Sequence, residues 1–381
     1  MTSASPAQPA ITSIPAQIAC AEDYAVLAQR FLAAPTFDYI DGGSGAGATA
    51  SANRAAFARW SVLPRILRDV GHGHTRLTLA GRALAHPILL APVALQTLAH
   101  PGGELESARA AAALETTIVS STLASYTLEQ IAAAAPAPAS HWFQLYFQGS
   151  REATLALLRR AEAAGCGAIV ATFDAAIQAP GRRALRAGFR MPADCVAANL
   201  PTPAPAAAPQ AGASRIFQGI MRGAPTWDDL AWLLGQTRLP VWVKGVLHPD
   251  DARQALALGA AGIVVSNHGG RGLDGAPASL DALVKVRAAL GDGAPLLFDG
   301  GIRSGLDVFK ALALGADAVM VGRLQVYALA VAGALGVAHM LQCLREELEL
   351  CMALAGCATL AQIDGATVWR SDCNDYQERP C

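Results

Sequence analysis

One short segment combines a potential base with a potential carboxylate-binding group. The sequence SNHGGRGLDG (266–275) places His268 and Arg271 three residues apart, with glycines between them. An imidazole can take up a proton near neutral pH, and a guanidinium can hold a carboxylate through paired hydrogen bonds. Asp174, at the end of an apolar run, can bond the far ring nitrogen of His268 and stabilise the imidazolium. These residues predict acid–base chemistry on a carboxylate, rather than a loop of solvated charges.

Two glycine-rich segments further along the chain predict a phosphate site. DGGIRSG (299–305) and GADAVMVGR (315–323) each contain a short apolar run or follow one. Backbone N–H groups at helix N-termini bind phosphate, and Arg303 and Arg323 can add positive charge there. Tight turns alone would explain either group of glycines. They would not explain why glycines follow both of the last two apolar, strand-like runs. The pair therefore predicts a phosphate-bearing cofactor or substrate.

The composition excludes several classes of protein. Of the 381 residues, 53% are apolar and 15% are charged, which is enough apolar sequence for a large buried core. The net charge is −1 and no arm carries a run of Lys or Arg, so we expect no nucleic-acid partner. The eight cysteines form no C-x-x-C pair and have no histidine at zinc spacing, so we expect no metal site. Free thiols and the lack of a signal peptide predict a reducing, cytoplasmic location.

One uncharged segment has the length of a membrane span. Residues Leu324–Leu344 contain no Asp, Glu, Lys or Arg. The segment is rich in Ala and Gly, contains Gln325 and His339, and follows the VMVGR run without a loop. These features predict a helix packed inside a large α/β core, and therefore no membrane partner.

A pattern of a short apolar run followed by an Ala/Leu-rich amphipathic stretch occurs eight times along the chain. Apolar strands that are each followed by a helix predict a parallel sheet covered on both faces. Eight units over roughly 250 residues predict a single (β/α)8 TIM barrel of the α/β class. A doubly wound open sheet is less favoured, because polar residues collect at the end of every run. The runs are PILLAPVA (87–94), TTIVSS (116–121), HWFQLYF (141–147), AIVATFD (168–174), PVWVKG (240–245), GIVVSNHGG (262–270), PLLFDGG (295–301) and AVMVGR (318–323).

Some segments do not follow this repeated pattern. A helix-like stretch (22–33) and a strand-like stretch (75–84) precede the barrel, and we expect them to cover one end of it. After the fourth barrel strand, a Pro/Ala-rich insertion is too long for an ordinary connection and is typical of a lid-like loop. The predicted parts are an N-terminal extension (1–86), the barrel (87–360) with its insertion (191–226), and a C-terminal tail (361–381).

Residues at the carboxyl ends of barrel strands face the active site of a TIM barrel. Each one alone is weak evidence, but together they form a ring of hydrogen-bonding groups that includes a lysine and a histidine. The strand-end residues are Pro92, Val93, Ala94, Ser121, Gln144, Tyr146, Thr172, Asp174, Lys244, Ser266, His268, Asp299, Gly300, Gly301, Gly322 and Arg323.

From about Phe37 to Gly356 the sequence resembles the FMN-dependent L-2-hydroxy-acid oxidases and dehydrogenases, a family that includes glycolate, lactate and hydroxymandelate oxidases. The fold of that family is a (β/α)8 barrel, in agreement with the repeated pattern. The resemblance implies bound FMN and oxidation of a small L-2-hydroxy acid to the 2-oxo acid. Alanine at position 94 favours O2 as acceptor, with H2O2 as product. The matching motifs are FDYIDGGSG, NRAAF, PRILRDV, LAPVALQTLAHPGGE, WFQLY, VKGV, VSNHGGR, LDG, DGGIRSGLDVFKALALGADAVMVGR and MALAGC.

The resemblance also implies which residues hold the cofactor. Lys244 would lie beside N1 and the C2 carbonyl of the flavin, where it stabilises negative charge on the reduced ring. Ser266, Asp299 and Gly300 would belong to the surrounding shell. The implied ring contacts are Pro92, Val93, Ala94, Ser121, Gln144 and Thr172, and the implied phosphate contacts are Gly301, Arg303, Gly322 and Arg323.

For the substrate, the resemblance implies that His268 is the base and that Asp174 supports it. Arg271 and a second arginine would hold the carboxylate, and Tyr39 and Tyr146 would also contact the acid. The second arginine is usually the last residue of a G-R-R triplet, which comes two residues late here as 181–183. Arg183 is favoured on a longer loop, with Arg182 as the alternative.

Two further departures from the family pattern affect specificity. Leu123 stands where several relatives carry a large aromatic residue, and Gly272 stands where Gln is usual. Three alternatives to an oxidase stay open. They are a dehydrogenase of the same family, a nucleotide-binding barrel of the inosine monophosphate dehydrogenase type, and a non-catalytic flavin-binding barrel. The second would need a catalytic cysteine where SNHGGRG stands, and the third conflicts with the intact set of polar residues. Family members are often tetramers, so we expect a homo-oligomer.

Overall fold

The computed structural model describes residues 8–135, 141–201 and 212–371. Strands in these ranges are β1 (Trp60–Val62), β2 (Leu77–Leu79), β3 (Arg82–Leu84), β4 (Ile88–Leu90), β5 (Ile118–Ser121), β6 (His141–Leu145), β7 (Ile169–Thr172), β8 (Val241–Val246), β9 (Gly262–Val265), β10 (Leu296–Asp299), β11 (Ala318–Val321) and β12 (Val368–Arg370). The α-helices are α1 (Asp23–Leu27), α2 (Ala34–Asp41), α3 (Ala48–Ala58), α4 (Gly103–Ala113), α5 (Leu128–Ala134), α6 (Arg151–Ala163), α7 (Arg182–Arg186), α8 (Trp227–Leu234), α9 (Pro249–Ala257), α10 (Ser279–Leu290), α11 (Gly305–Ala313) and α12 (Arg323–Ala355).

Strands β4 to β11 form a closed parallel barrel. Each strand pairs with the next along the chain, and β11 pairs with β4 to complete the circle. These strands are buried almost throughout, because side chains fill the interior and helices cover the outside. The predicted (β/α)8 TIM barrel is confirmed, and the fourth barrel strand of the sequence is β7.

The N-terminal extension covers both ends of the barrel, where the sequence led us to expect one. Leu79 and Leu84 of the β2–β3 hairpin join the interior cluster around Trp142 and Trp242, and so close the end at which the strands begin. At the opposite end, the segment after α2 joins the loops that follow the strands, where the Ser44 N–H donates to the Gly270 carbonyl at 2.9 Å.

The uncharged segment lies in α12, which is the one helix in the described ranges with the length and composition of a membrane span. In its most apolar stretch 78% of the residues are buried inside the fold, against α4, α11 and the N-terminal helices. The helix bends at Ala332 and Gly333, where the backbone leaves the helical conformation. The structure therefore confirms the predicted core helix.

The insertion after β7 is described at its two ends. Its first part packs onto the loop after β5, where the Ala198 N–H donates to the Ala124 carbonyl at 2.8 Å. Its last part forms short helical turns at Arg215–Gly219 and Ile220–Gly223, with exposed apolar side chains. The Pro/Ala-rich centre (202–211) lies outside the described residues, as does the end of the C-terminal tail (372–381). The start of that tail is part of the fold, because β12 pairs with β1.

Candidate active site

His268 and Asp174 meet at the carboxyl end of the barrel. Asp174 follows β7 and His268 follows β9, on either side of β8, so the two strands bring the side chains together. His268 Nδ1 lies 2.9 Å from Asp174 Oδ1, and His268 Nε2 lies 3.5 Å from the hydroxyl of Tyr146. With Nδ1–H donating to the carboxylate, Nε2 is left as the atom that can accept a proton.

The charges around this pair suit a base. Burial would raise the pKa of Asp174, but the charges of His268 and Lys244 and a hydrogen bond from His268 hold it below its ordinary value. Asp174 is therefore ionised and can stabilise an imidazolium. Burial raises the pKa of Tyr146 to about 12, so its phenol keeps its proton and can donate a hydrogen bond at neutral pH.

The backbone of His268 is in the left-handed region, with φ +59°. Non-glycine residues rarely adopt this conformation, which costs about 1–3 kcal/mol and persists only where the surroundings enforce it. Ser266 contributes to that constraint, since its Oγ accepts the His268 N–H at 3.0 Å. The strained residue is therefore the proposed base itself.

Lys244, Ser266 and Asp299 form a buried polar network beside the base. Lys244 Nζ donates to Ser266 Oγ at 2.9 Å and lies 3.0 Å from an oxygen of Asp299. Ser266 Oγ in turn donates to Asp299 Oδ1 at 2.6 Å. Burial alone would lower the pKa of Lys244, but the carboxylates of Asp299 and Asp174 raise it above its ordinary value. The lysine is therefore a fixed positive charge at the cavity wall.

A cavity of about 1300 Å³, including the space at its open mouth, lies where the barrel strands end. Concave sites with an apolar lining and a few convergent polar groups are typical of small-molecule binding. Most of the sequence-predicted residues line it. They are Tyr39, Pro92, Val93, Ala94, Ser121, Tyr146, Lys244, His268, Arg271, Asp299, Gly300, Gly301, Arg303, Gly322 and Arg323.

Several groups in the cavity wall or bonded to it fit a flavin mononucleotide. Gln144 Oε1 accepts from Ser121 Oγ at 3.2 Å, whereas its buried Nε2 has no acceptor among the described residues and can serve a ring carbonyl. Arg303 and Arg323 line the cavity and, in the described ranges, bond only backbone carbonyls. Burial, with the charge of Arg271 next in size, lowers the pKa of Arg323 to about 10, which still leaves it charged. These guanidinium groups suit a phosphate.

Packing within the protein also requires glycine at two positions of the phosphate segment. Gly300 and Gly301 have φ of +118° and +89°, and a Cβ on Gly301 would lie 2.4 Å from the backbone oxygen of Asn53. A Cβ on Gly300 would lie 2.8 Å from Ser279 Oγ. Close packing against α3 and α10 therefore requires both residues. Gly322 differs, because an added Cβ would make only ordinary contacts at 3.8 Å, so packing within the protein does not require glycine there.

The proposed substrate residues Tyr39 and Arg271 lie together at the mouth. The Arg271 guanidinium sits 5.0 Å from the centre of the Tyr39 ring and donates to the Ile40 carbonyl at 2.8 Å. The Tyr39 ring also stacks on Phe189, at 4.2 Å between ring centres. Arg271 makes no ion pair with a carboxylate in the described part of the chain, so its charge can act on a bound acid.

Arg183, the predicted second clamp, is bonded outside the cavity in this structure. Arg183 pairs with Asp38 at 2.6 Å and with Asp41, and it does not line the cavity. The physical reason is that the two aspartates lie three residues apart on one face of α2 and together capture the guanidinium. Arg182 is exposed and does not line the cavity either. Gln178 is the residue of this loop that does.

Four other predicted residues stand behind the wall, and Gln144, described above, is one of them. Asp174 and Ser266 act through the bonds already described, and Thr172 neighbours Lys244 in the pairing of β7 with β8. The sequence reasoning missed the stretch after Ala94 that lines the cavity. Its members are Leu95, Gln96, Leu98 and Ala99. The signal was available, because these residues lie inside the motif LAPVALQTLAHPGGE and directly follow a strand end.

Comparison with known proteins places this site in a family. The chain matches the FMN-dependent dehydrogenase family over residues 28–370. It is 66% identical to an L-lactate oxidase of Alicycliphilus denitrificans, over 93% of this chain and 97% of the relative. It is 45% identical to a 4-hydroxymandelate oxidase of Amycolatopsis orientalis, over 87% of this chain and 93% of the relative.

A solved structure of mandelate oxidase with (S)-4-hydroxymandelic acid superposes with a TM-score of 0.83 at 44% identity, covering 90% of this chain and 96% of the other. The match to the FMN-dependent dehydrogenase family over most of the chain removes the nucleotide-dehydrogenase alternative. The chain therefore belongs to the FMN-dependent dehydrogenase family and is an FMN-dependent oxidase of 2-hydroxy acids.

Proposed function

We propose that the substrate is L-lactate, which is oxidised to pyruvate while O2 is reduced to H2O2. The observation that carries this proposal is the 66% identity to an L-lactate oxidase over nearly the whole of both chains. Two further relatives with the same name, from Roseobacter and Nostoc, are 47% and 44% identical. FMN, which Lys244, Arg303 and Arg323 would help to hold, would supply the two-electron acceptor for this oxidation.

The protein's own part is to bind the acid and to take up its proton. Arg271 neutralises the carboxylate at the mouth, and the phenols of Tyr39 and Tyr146 donate hydrogen bonds to the acid. His268 Nε2 accepts a proton from the Cα or the hydroxyl of the acid, and Asp174 stabilises the imidazolium through Nδ1. Lys244, held by Asp299, keeps a positive charge at the wall throughout.

The aliphatic residues of the cavity wall support an acid with an apolar side chain. Leu95, Leu98, Ala99 and Leu123 line the cavity with short aliphatic groups. A methyl group gains from such surroundings, whereas a hydroxyl or a charge would lose its hydrogen bonds to water. This agrees with lactate, whose only side chain is a methyl group.

Initial rates with a panel of acids test the proposal. We expect kcat/KM for L-lactate to exceed the values for glycolate and L-mandelate by about 10-fold or more, the scale on which one pocket distinguishes side chains. Peroxide is measured by a coupled peroxidase assay, and D-lactate serves as the control of handedness. A preference for L-mandelate would overturn the substrate assignment. Turnover with an artificial acceptor but none with O2 would overturn the oxidase.

We also propose a homo-oligomer. Leu67 is 98% exposed and Ile66 is 83% exposed, and beside them α12 ends with the exposed Leu350 and Leu354. The two regions adjoin, since the Arg65 N–H donates to the Ala355 carbonyl at 3.2 Å. Contiguous apolar surface of this kind is typical of subunit interfaces. Light scattering of the wild type and of Leu67→Glu tests this, and a monomeric wild type would contradict it.

We propose a cytoplasmic location as well. The six cysteines in the described ranges are free thiols, which is typical of a reducing compartment. Cell fractionation tests this, and recovery with a secreted fraction would contradict it.

A further inference from the structure

Two buried asparagines connect the N-terminal extension to the loop of the base. Asn53 lies on α3, and Asn267 directly precedes His268. Asn53 Nδ2 donates to Asn267 Oδ1 at 2.8 Å, and Asn267 Nδ2 donates to Asn53 Oδ1 at 2.7 Å. Both residues are buried, with Asn53 2% exposed and Asn267 4% exposed. A reciprocal amide pair of this kind, shielded from water, fixes both side chains in one orientation.

The same two side chains hold the backbone on each side of His268. Asn267 Oδ1 also accepts the Gly270 N–H at 3.0 Å, and the Asn267 N–H donates to Ser279 Oγ at 3.1 Å. Asn53 Oδ1 accepts the Ser279 N–H at 3.0 Å, and Asn267 Nδ2 reaches the Pro277 carbonyl at 3.0 Å. The loop from 267 to 279 is therefore tied together around the pair, and the left-handed backbone of His268 lies within it.

Helix α3 leaves this loop no room to shift. A Cβ on Gly270 would lie 2.5 Å from the Ala50 nitrogen, so the base loop contacts the helix backbone directly. One turn further along, the helix meets Gly301 through the backbone oxygen of Asn53. The helix thus touches both the base loop and the phosphate segment, and Asn53 lies where the two contacts meet.

We propose that Asn53 is a positioning residue for the base: it acts through Asn267 to hold His268 in its left-handed conformation, with Nδ1 on Asp174 and Nε2 towards the substrate. Asn53 does not line the cavity, and its side-chain bonds go to Asn267 and to the Ser279 N–H. The proposal rests on the assignment of His268 as base and is independent of which acid is the substrate.

The variant Asn53→Asp tests the proposal with little change in shape. The carboxylate can still accept from Asn267 Nδ2 and from the Ser279 N–H, but it has lost the donor to Asn267 Oδ1. We expect the limiting rate of anaerobic flavin reduction to fall by about 10–100-fold, because small displacements of a reacting group are costly. FMN content and the Kd of oxalate should change by less than about twofold, since the groups that bind them are untouched. Arg54→Gln, on the exposed face of the same helix, is the control and should behave as wild type.

A double variant separates positioning from general destabilisation. In a His268→Ala background there is no imidazole left to position, so Asn53→Asp should lower the residual rate no further. A loss in that background as large as in the wild type would overturn the proposal, as would an unchanged rate in the single variant. If Asn53→Asp fails to retain FMN, Asn53→Ser carries the same test, because it removes the amide donor without adding a charge. If His268→Ala itself reduces the flavin at the wild-type rate, the assignment of the base fails and the positioning role with it.

Discussion

The inner part of the site and its rim are built differently. The inner part consists of Asp174, Lys244, His268 and Asp299, which lie at or near the carboxyl ends of neighbouring barrel strands. They are mostly buried and bond one another or a shared serine. The rim comes from α2 and the loop after β7. There Arg183 keeps 48% of its side chain exposed and pairs with Asp38 and Asp41, which are partly exposed.

This difference separates chemistry from recognition. Side chains on strand ends inherit the rigidity of the barrel, and their hydrogen bonds leave each of them few alternative positions. Side chains on a loop depend on whichever partners lie within reach, and exposed ion pairs hold them weakly. Substitutions in the inner part should therefore have large effects on reaction and stability, and substitutions at the rim should have small effects.

The largest effect is expected for His268→Ala. Loss of the base should lower the rate of anaerobic flavin reduction by L-lactate by about 10²–10⁴-fold. FMN should remain bound, because the groups proposed to hold it are intact. Stopped-flow absorbance measures the rate, and His248→Ala, an exposed histidine at the start of α9, is the control. Reduction at the wild-type rate would show that the buried pair with Asp174 is structural only.

The next effect concerns the stability of the inner part. Lys244→Met leaves Asp299 buried without its ion pair, which typically costs about 3–5 kcal/mol. We expect this loss in the free energy of unfolding of the holoenzyme, measured by urea denaturation, together with weaker FMN retention. The chain offers a matched control in Lys285→Met, since Lys285 is exposed on α10. Equal stability of the two variants would contradict the view that the inner part is tightly coupled.

A smaller effect is expected for Arg271→Met, at the boundary between the two regions. The variant removes a charge-assisted hydrogen bond to the carboxylate, worth about 1.5–3 kcal/mol. The Kd of oxalate, followed by the absorbance of the oxidised flavin, should rise about 10-fold or more. Unchanged oxalate binding would mean that the guanidinium only joins α2 to the base loop, through the Ile40 carbonyl.

The same division decides what the sequence could predict. The alternation of apolar runs with helical stretches predicted the closed barrel, because each run is buried on both faces and is followed by a helix that must pack on it. The ends of those runs then predicted the inner residues, since parallel strands finish at one end of a barrel. His268, Asp174, Lys244 and Asp299 come together for this reason alone.

What could not be predicted depends on contacts between distant parts of the chain. The capture of Arg183 by Asp38 and Asp41 joins residues more than 140 positions apart. The amide pair of Asn53 and Asn267 spans 214 positions. Neither contact has a local pattern, since charged and amide residues at a surface or in a helix usually have solvent or near neighbours as partners. The resemblance to the family identified the G-R-R triplet, but it could not predict the path of the loop that carries the triplet.

The smallest effect is expected for Arg183→Met, and it tests the rim most directly. An exposed ion pair contributes about 0–1 kcal/mol, so the variant should bind oxalate within about twofold of wild type and lose little stability. Arg182→Met should do the same. The variant Asp38→Asn sharpens the comparison, because it removes one of the two partners that hold Arg183 away from the cavity. If Arg183→Met weakens oxalate binding as much as Arg271→Met does, the loop after β7 exchanges its aspartates for the carboxylate of the acid, and Arg183 is the clamp that the triplet predicts. In that case Asp38→Asn should tighten oxalate binding, since the exchange would then cost one ion pair fewer.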